Sequence, residues 1–321
     1  SAISAGPSKH AFVSRPAPSA FSRGWMAPLA FPEQTMSLIL NIAIDGIAYG
    51  MILFMISVGL SVTMGLMRVI NLAHGAFALI GGALAHSLIL KIGLGYLMAV
   101  PIAIAGVIVL AFIAERLLFR RIYGLGELQQ VLATIGVTFM VIAVVNKLLG
   151  SSLLAIPLPD FLQQSVNLGF RVLPAHRLVV IAIGLGVIVG LYLMLERSRF
   201  GTRLRAAVDN RNIASALGIN TDSIYAATFC LGAALAALGG ILGAELLPVD
   251  AYYPLRYMVL FLIVVSVGGL GSISGSFAAA IALGILETAS RYLIPDFGTI
   301  IFFTAVMALL AVRPAGLLGK A

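Results

Sequence analysis

The amino-acid sequence predicts an all-α, polytopic membrane protein with about eight transmembrane helices, of which at least one is broken or re-entrant. First, 61% of the 321 residues are hydrophobic and only 10% are charged, whereas soluble proteins carry about 25% charged residues. Second, 34 glycines and an aromatic content of 8% are typical of membrane helices that pack closely. Third, runs of about 20 residues without Asp, Glu, Lys or Arg recur along the chain, and such runs are long enough to cross a bilayer. A soluble globular enzyme is therefore excluded.

The charge-free runs define the expected helices in chain order. They cover residues 46–67, 69–90, 97–113, 129–146, 178–195, 223–244, 258–286 and 297–312. The seventh run is longer than one ordinary span and contains a glycine-rich stretch at 268–275. We therefore expect a break or a re-entrant turn inside it.

Arginines determine the expected orientation. Arg116, Arg120 and Arg121 follow the third run, and further arginines at 197–211 follow the fifth, so both segments are expected in the cytoplasm by the positive-inside rule. The C-terminal tail joins them there if the chain crosses an even number of times between Arg256 and Arg291, which favours two short passes or a re-entrant pair around the glycine-rich stretch. A single kinked helix would place the tail outside. The net charge of +8 is thus interpreted as a topology signal, and nucleic acid is not expected as a partner.

The first 35 residues differ in composition from the rest. Ser, Pro, Ala and Arg dominate, and no acidic residue precedes Glu33. No apolar segment follows the basic residues, so a secretory signal is not expected. We interpret residues 1–35 as a disordered leader or as a non-native extension upstream of Met36, and residues 36–321 as one transmembrane domain. A single cysteine, Cys230, and four scattered histidines predict neither a disulfide nor a metal cluster.

Ionisable side chains near the spans are candidates for function, because each costs roughly 2.5–3.5 kcal/mol on insertion into a bilayer. Asp45 stands just before the first run and is either a pathway or gate residue, or else a residue at the membrane interface or a helix-end cap. Glu245 ends the sixth run and either contacts a docking partner or is solvated. Glu287 and Arg291 have i, i+4 spacing at the end of the seventh run and are expected to pair.

A polar segment, Asn71-Leu72-Ala73-His74-Gly75, begins the second run. Asn71 either caps the next helix or belongs to an irregular helix start that offers backbone donors and acceptors to a transport cavity. Spacing alone does not separate the two interpretations. The candidates for a substrate pathway are Asp45, Asn71, His74 and Gly75, with Gly269 and Gly271 from the glycine-rich stretch.

Small residues recur every four positions in the sixth run and form a stripe that includes Gly232, Ala236 and Gly240. A stripe of this kind lets a neighbouring helix approach closely. Packing within the domain is favoured, and dimerisation with a sister subunit is the alternative.

Residues 200–220 are the most informative segment outside the spans. The cap-type residues Asp209, Asn210 and Asn212 predict two short helices. Small residues nearby leave a surface shallow enough for the groove of another protein, whereas the alternative is an interfacial helix whose arginines contact anionic membrane lipid. The candidate docking residues are Arg203, Arg205, Asp209, Ala214 and Gly218.

Four co-linear stretches together resemble the permease subunits of ATP-driven branched-chain amino acid importers, of the LivH type. They are residues 71–75, residues 214–220 with the helix that follows, the break at 268–275 and the ending at 312–319. The resemblance covers residues 36–320 and implies a single permease domain there. It also implies a bacterial inner-membrane importer with a second related permease, two cytoplasmic ATPase subunits and a periplasmic substrate-binding protein. By the same resemblance, residues 203–218 are the coupling helices that dock on an ATPase.

The sequence contains no G-x-x-x-x-G-K-[ST] motif, so ATP and Mg are expected on the partner subunits and no cofactor on this chain. The expected function is a transport subunit, not an enzyme, that translocates branched-chain amino acids by alternating access. Two alternatives stay open. One is a permease for urea or short-chain amides in the same importer class, and the other is an autonomous ion-coupled secondary transporter with Asp45 as its proton site.

Overall fold

A computed structural model describes residues 32–67, 69–167, 172–314 and 316–317 of the chain. Most of the predicted leader, residues 1–31, lies outside the described residues, and so do residues 318–321 at the end of the tail. The first described helix begins at Pro32, four positions before Met36.

The described chain is almost entirely helical, as predicted. The longer helices, in order, are α1 (Pro32–Leu66), α2 (His74–His86), α3 (Tyr96–Ala114), α5 (Glu127–Leu149), α7 (Ala175–Glu196), α10 (Thr221–Leu242), α11 (Tyr253–Gly268), α12 (Ile273–Leu293) and α13 (Gly298–Val312). Shorter helices are α4 (Arg120–Ile122), α6 (Asp160–Gln163), α8 (Arg199–Asp209) and α9 (Arg211–Ala216). Strands β1 (Ser165–Asn167) and β2 (Val172–Pro174) pair antiparallel in the loop before α7.

Eight helices of the described chain are long and apolar enough to span a membrane, which confirms the predicted polytopic architecture. Helix α1 is the longest at 35 residues, or about 50 Å at 1.5 Å per residue, against a bilayer core of about 30 Å. The first charge-free run starts only after Asp45, because any charged residue ends such a run. The helix continues through Asp45 because this carboxylate is paired inside the bundle.

The predicted break in the seventh run is a turn between two antiparallel helices. Helix α11 ends at Gly268 and α12 begins at Ile273, and Gly269 and Gly271 between them have φ angles of 90° and 78°. These left-handed angles strain residues that carry a Cβ. A Cβ on Gly65, at the end of α1, would lie only 2.0 Å from the amide nitrogen of Gly271. Glycine is therefore required on both sides of this contact.

Helix α1 forms the centre of the bundle. Helices α12, α10, α7 and α11 pack around it, and residues 51–56 of α1 are almost completely buried. Helices α3, α5, α7 and α13 instead keep large apolar side chains exposed, which is the surface expected of helices that face lipid. A helix that is apolar on all sides is buried at the core of a large domain, and α1 has this pattern.

The two arginine-rich segments lie at one end of the bundle, which we call the arginine-rich end. Asp222 at the start of α10 accepts hydrogen bonds from Arg120 of α4 and from Arg211 of α9. The tail reaches the same end, because the Leu317 amide donates to the Val267 carbonyl of α11 at 2.6 Å. Helices α11 and α12 thus run in opposite directions, first towards the arginine-rich end and then away from it, and α13 returns the tail to that end. Helix α11, with 16 residues, is shorter than the eight candidate spans.

Candidate substrate pathway and docking surface

His74 stands where three helices meet. Its Nε2–H donates to the carbonyl oxygen of Ile56 in α1 at 2.9 Å, and the residue is only 2% exposed. A Cβ on Gly59 would lie 2.7 Å from both His74 Cε1 and Gly232 Cα of α10. The absence of side chains at Gly59 and Gly232 therefore lets the imidazole reach the backbone of α1.

Asn71 belongs to an irregular segment that runs ahead of α2. Its Oδ1 accepts from the Ala73 amide at 3.1 Å, and Ala73 is the residue that precedes the helix. The side chain therefore closes a turn before α2 and does not bind the first helical turn, which corrects its interpretation as the helix cap. Its Nδ2 is buried without a hydrogen-bond partner in the described part of the chain.

Side chains of helix α5 accept hydrogen bonds from backbone amides of this irregular segment, a role that was not predicted from the sequence. The Ile70 amide donates to Gln130 Oε1 at 3.0 Å, and the Leu72 amide donates to Thr134 Oγ1 at 3.2 Å. Irregular backbone at membrane depth is tolerated where the surrounding protein supplies hydrogen bonds. The available signal was a polar stripe of i, i+4 spacing on an apolar helix, formed by Gln130, Thr134 and Thr138.

The structure distributes the six candidate pathway residues along α1 and does not gather them in one site. Asp45 lies in the first half of α1, His74 contacts its middle, and Gly271 meets Gly65 near its end. Asp45 and Gly65 are about 30 Å apart along the helix axis. Gly75 faces the start of α11, where a Cβ would lie 3.4 Å from Pro254 Cα. The six candidate residues therefore lie along α1 over a distance close to the thickness of a bilayer core.

Asp45 is the centre of a charged cluster at the end of the bundle opposite the arginine-rich end. It is 8% exposed and lies in the interior of α1, so it does not cap a helix end. Arg177 of α7 donates to its Oδ1, and the Tyr292 hydroxyl of α12 donates to its Oδ2 at 2.7 Å. Glu287 and Arg291 pair next to them, with an Nε to Oε1 distance of 2.8 Å, as their spacing predicts.

A cavity of about 160 Å³ opens among these groups. Its walls come from α1, α7, α12 and the segment after α10. The lining residues are Asp45, Tyr49, Arg177, Leu246, Glu287, Thr288, Arg291 and Tyr292. Asp45 was a candidate from the sequence, but Arg177 and Tyr292 were not, because they are distant from it along the chain.

Helices α8 and α9 form a small layer at the arginine-rich end. Leu204 and Ala207 on the underside of α8 are buried against Val62, Leu195 and Ile224. Side chains cap both helices: Ser198 Oγ accepts from the Gly201 amide and Asn210 Oδ1 from the Ile213 amide. The predicted pair of short helices is confirmed.

The docking candidates divide into exposed and buried residues. Arg203, Asp209 and Gly218 are exposed. Arg205 is also exposed but donates to the Leu195 carbonyl at 2.5 Å and lies 3.5 Å from Glu196, so it anchors α8 to the end of α7. Ala214 is only 2% exposed and faces the membrane domain, which removes it from the docking surface.

The tip of α9 carries apolar side chains that were not among the sequence candidates. Ile213 and Leu217 are 59% and 77% exposed. Gly218 ends the helix with a φ of 82°, and the Ile219 amide donates back to the Ala214 carbonyl at 3.0 Å, as at many helix ends. We call residues 213, 216, 217 and 218 the α9 tip. Neighbouring exposed apolar side chains mark a candidate contact with another protein or with membrane lipid.

The small-residue stripe of α10 faces other helices of the same chain. A Cβ on Gly232 would lie 3.3 Å from Gly59 Cα, and one on Gly240 would lie 2.5 Å from the Ala78 carbonyl oxygen of α2. Ala236 is completely buried. These three residues therefore have no free surface for a sister subunit.

Metal ligands are not clustered in the part of the chain that the structure describes: no three His, Cys, Asp or Glu side chains there come close enough to hold a metal ion. The candidate site consists instead of ion pairs, hydroxyls and irregular backbone.

Comparisons with known proteins agree with the resemblance read from the motifs. A family model described as "Branched-chain amino acid transport system / permease component" matches residues 42–311. The chain is 28% identical over 291 residues to the high-affinity branched-chain amino acid transport system permease protein LivH of Escherichia coli strain K12, covering 86% of this chain and 94% of that protein. It is 27% identical over 290 residues to the corresponding protein BraD of Pseudomonas aeruginosa, with coverages of 86% and 94%. A probable LivH of Methanocaldococcus jannaschii is 28% identical over 291 residues, with coverages of 85% and 90%. No solved structure matches the chain significantly.

Proposed function

Because the chain belongs to the family of branched-chain amino acid transport permeases, we propose that it is the transmembrane subunit of an ATP-binding-cassette importer that translocates branched-chain amino acids by alternating access. The observation that carries this proposal is the family match over residues 42–311, which includes α8, α9 and the charged cavity. The proposal places the chain in a bacterial inner membrane, with the arginine-rich end in the cytoplasm.

The proposed importer contains a second related permease, two cytoplasmic ATPase subunits and a periplasmic substrate-binding protein. ATP and Mg are bound by the ATPase subunits, because the sequence of this chain has no phosphate-binding loop. The permease contributes a pathway that opens to one face and then to the other. Helix α1 is the element along which the candidate pathway residues are arranged.

Coupling to the ATPase is assigned to α8 and α9. The α9 tip presents Ile213 and Leu217 to the cytoplasm in this orientation, and burial of such side chains in a partner groove is favourable by about 25 cal/mol per Å². Arg205 of α8 donates a hydrogen bond to the Leu195 carbonyl of α7, and the buried face of α8 packs against α1, α7 and α10. A force on the α9 tip is therefore transmitted to three membrane helices through buried contacts.

Leu217→Ser tests this assignment, because the side chain is 77% exposed and its replacement leaves the core intact. We expect the variant to reach the membrane in normal amounts, to lose co-purification with the ATPase subunits and to lose leucine uptake. Leu128→Ser is the matched control, since Leu128 is 71% exposed near the same end but lies outside α8 and α9. If Leu217→Ser retains the ATPase subunits as well as the control does, the α9 tip is not the docking surface.

A further inference from the structure

The charged cavity at the end opposite the arginine-rich end contains equal numbers of opposite charges. Asp45 and Glu287 supply two carboxylates, and Arg177 and Arg291 supply two guanidinium groups. A lone cation or a lone anion that enters adds one uncompensated charge to this balanced set. A ligand that carries one positive and one negative group leaves the cluster balanced, which matters because an unpaired charge is expensive to bury.

Two polar atoms of this cluster have no hydrogen-bond partner among the described residues. Glu287 Oε1 binds Arg291, but Glu287 Oε2 is buried and unpaired, and so is Arg177 Nε. Glu287 is 7% exposed, so water compensates little. Buried polar groups without partners cost free energy and are rare, and here an unpaired acceptor and an unpaired donor belong to residues that line the same cavity.

We propose that this cavity binds the α-ammonium and α-carboxylate groups of a zwitterionic amino acid. Glu287 Oε2 accepts a hydrogen bond from the ammonium group, and Arg177 Nε donates one to the carboxylate. Leu246 provides an apolar wall beside the charges. Both unpaired atoms are buried, so a ligand reaches them when α1, α7 and α12 separate at this end, as alternating access requires.

This inference rests on the proposed function and specifies which ligands the permease accepts. Urea and short amides have neither an ammonium nor a carboxylate group, so they leave Glu287 and Arg177 without charged partners. A site built to pair such groups rejects analogues that lack them. The permease itself, and not only its binding protein, then discriminates amino acids from neutral amides.

A ligand series on the purified chain in lipid nanodiscs tests the site. The probes are L-leucine, 4-methylpentanoate with the carboxylate alone, isopentylamine with the ammonium alone, and urea. We expect L-leucine to raise the melting temperature, and each of the others to bind at least about tenfold more weakly, the ratio for loss of one charged hydrogen bond. Equal binding of isopentylamine, 4-methylpentanoate or urea would overturn the proposal.

Glu287→Gln removes the charge and keeps the shape, and we expect it to weaken leucine binding at least about tenfold. Glu245→Gln is the control, because Glu245 lies near the same end and does not line this cavity. Unchanged leucine binding by folded Glu287→Gln refutes the site. If Glu287→Gln does not fold, the ligand series on the unmutated chain still decides the question.

Uptake by cells separates this inference from the proposed function. Cells that carry every other subunit of the importer but lack this chain should lose leucine uptake, and Glu287→Gln should restore little of it. Full restoration by Glu287→Gln rejects the charged site and leaves the importer role intact. Normal uptake without the chain, together with leucine binding that depends on Glu287, supports the site and rejects the importer role.

Discussion

Gly59→Ala perturbs the contact at which α1, α2 and α10 meet. The new Cβ would lie 2.7 Å from Gly232 Cα and from the Gly232 carbonyl oxygen, and real Cβ atoms essentially never approach backbone atoms so closely. No rotamer change relieves a clash with backbone, so α1 and α10 must move apart. Overpacking of this kind costs typically about 1–3 kcal/mol.

Gly186→Ala is the matched control for this cost. A Cβ on Gly186, in α7, would meet no atom within 4 Å, so alanine there only improves helix propensity, by up to about 1 kcal/mol. Both variants gain the same stability from helix propensity. The difference between their melting temperatures therefore measures the clash between α1 and α10. Gly232→Ala should fall between them, because its Cβ would lie 3.3 Å from Gly59.

Thermal unfolding of the three variants in one detergent measures the series. We expect Gly59→Ala to melt below Gly186→Ala by about 2–5 °C, because about 1–3 kcal/mol is divided by an unfolding entropy of about 2.1 cal/mol/K per residue over roughly 290 residues. Equal melting temperatures for Gly59→Ala and Gly186→Ala would refute the conclusion that close backbone contact holds α1 against α10.

Three further variants, and a control for the third, test separate features. Asp45→Asn removes the charge that binds Arg177 and Tyr292, so we expect a loss of about 3–5 kcal/mol in thermal unfolding; an unchanged melting temperature contradicts the buried pair. His74→Leu deletes one buried hydrogen bond to α1 and should cost about 1 kcal/mol in the same assay, whereas a neutral result means that the bond contributes nothing. Gly218→Ala places alanine at a φ of 82°, which strains the α9 tip by about 1 kcal/mol, and should reduce leucine uptake at normal membrane abundance. Gly93→Ala imposes the same strain at a φ of 80° outside α9, and equal uptake by the two glycine variants argues against a coupling role.

Spans and breaks were predictable because bilayer insertion depends on local composition. The turn at Gly269 and Gly271 follows from glycine content alone, since left-handed backbone favours glycine. The two helices α8 and α9 follow from cap residues such as Asn210. Each of these features is encoded within about 20 consecutive residues, so one sequence is sufficient.

The charged cavity was only partly predictable, because its groups are far apart in the chain. Asp45 was visible as a charge near an apolar run, but Arg177 is 132 positions away and Tyr292 is 247 positions away. Arg177 stands at a span boundary, where an arginine is ordinarily a topology signal. Its pairing with Asp45 depends on how α7 packs against α1, and no local pattern specifies that packing.

The support of the irregular segment by α5 was missed for a similar reason. Thr134 and Thr138 also bond to carbonyls of their own helix, as threonines in apolar helices commonly do. Only the approach of α5 to residues 70–72 shows that these threonines also form hydrogen bonds with the backbone of a neighbouring segment.

Leucine uptake into proteoliposomes tests the proposed importer function most directly. The liposomes contain either this chain alone or this chain with the second permease, the ATPase subunits and the binding protein. We expect L-leucine to accumulate only in the complete assembly and only with ATP and Mg. Accumulation by the chain alone under a proton gradient, without ATP, would contradict the importer role and establish an autonomous ion-coupled transporter.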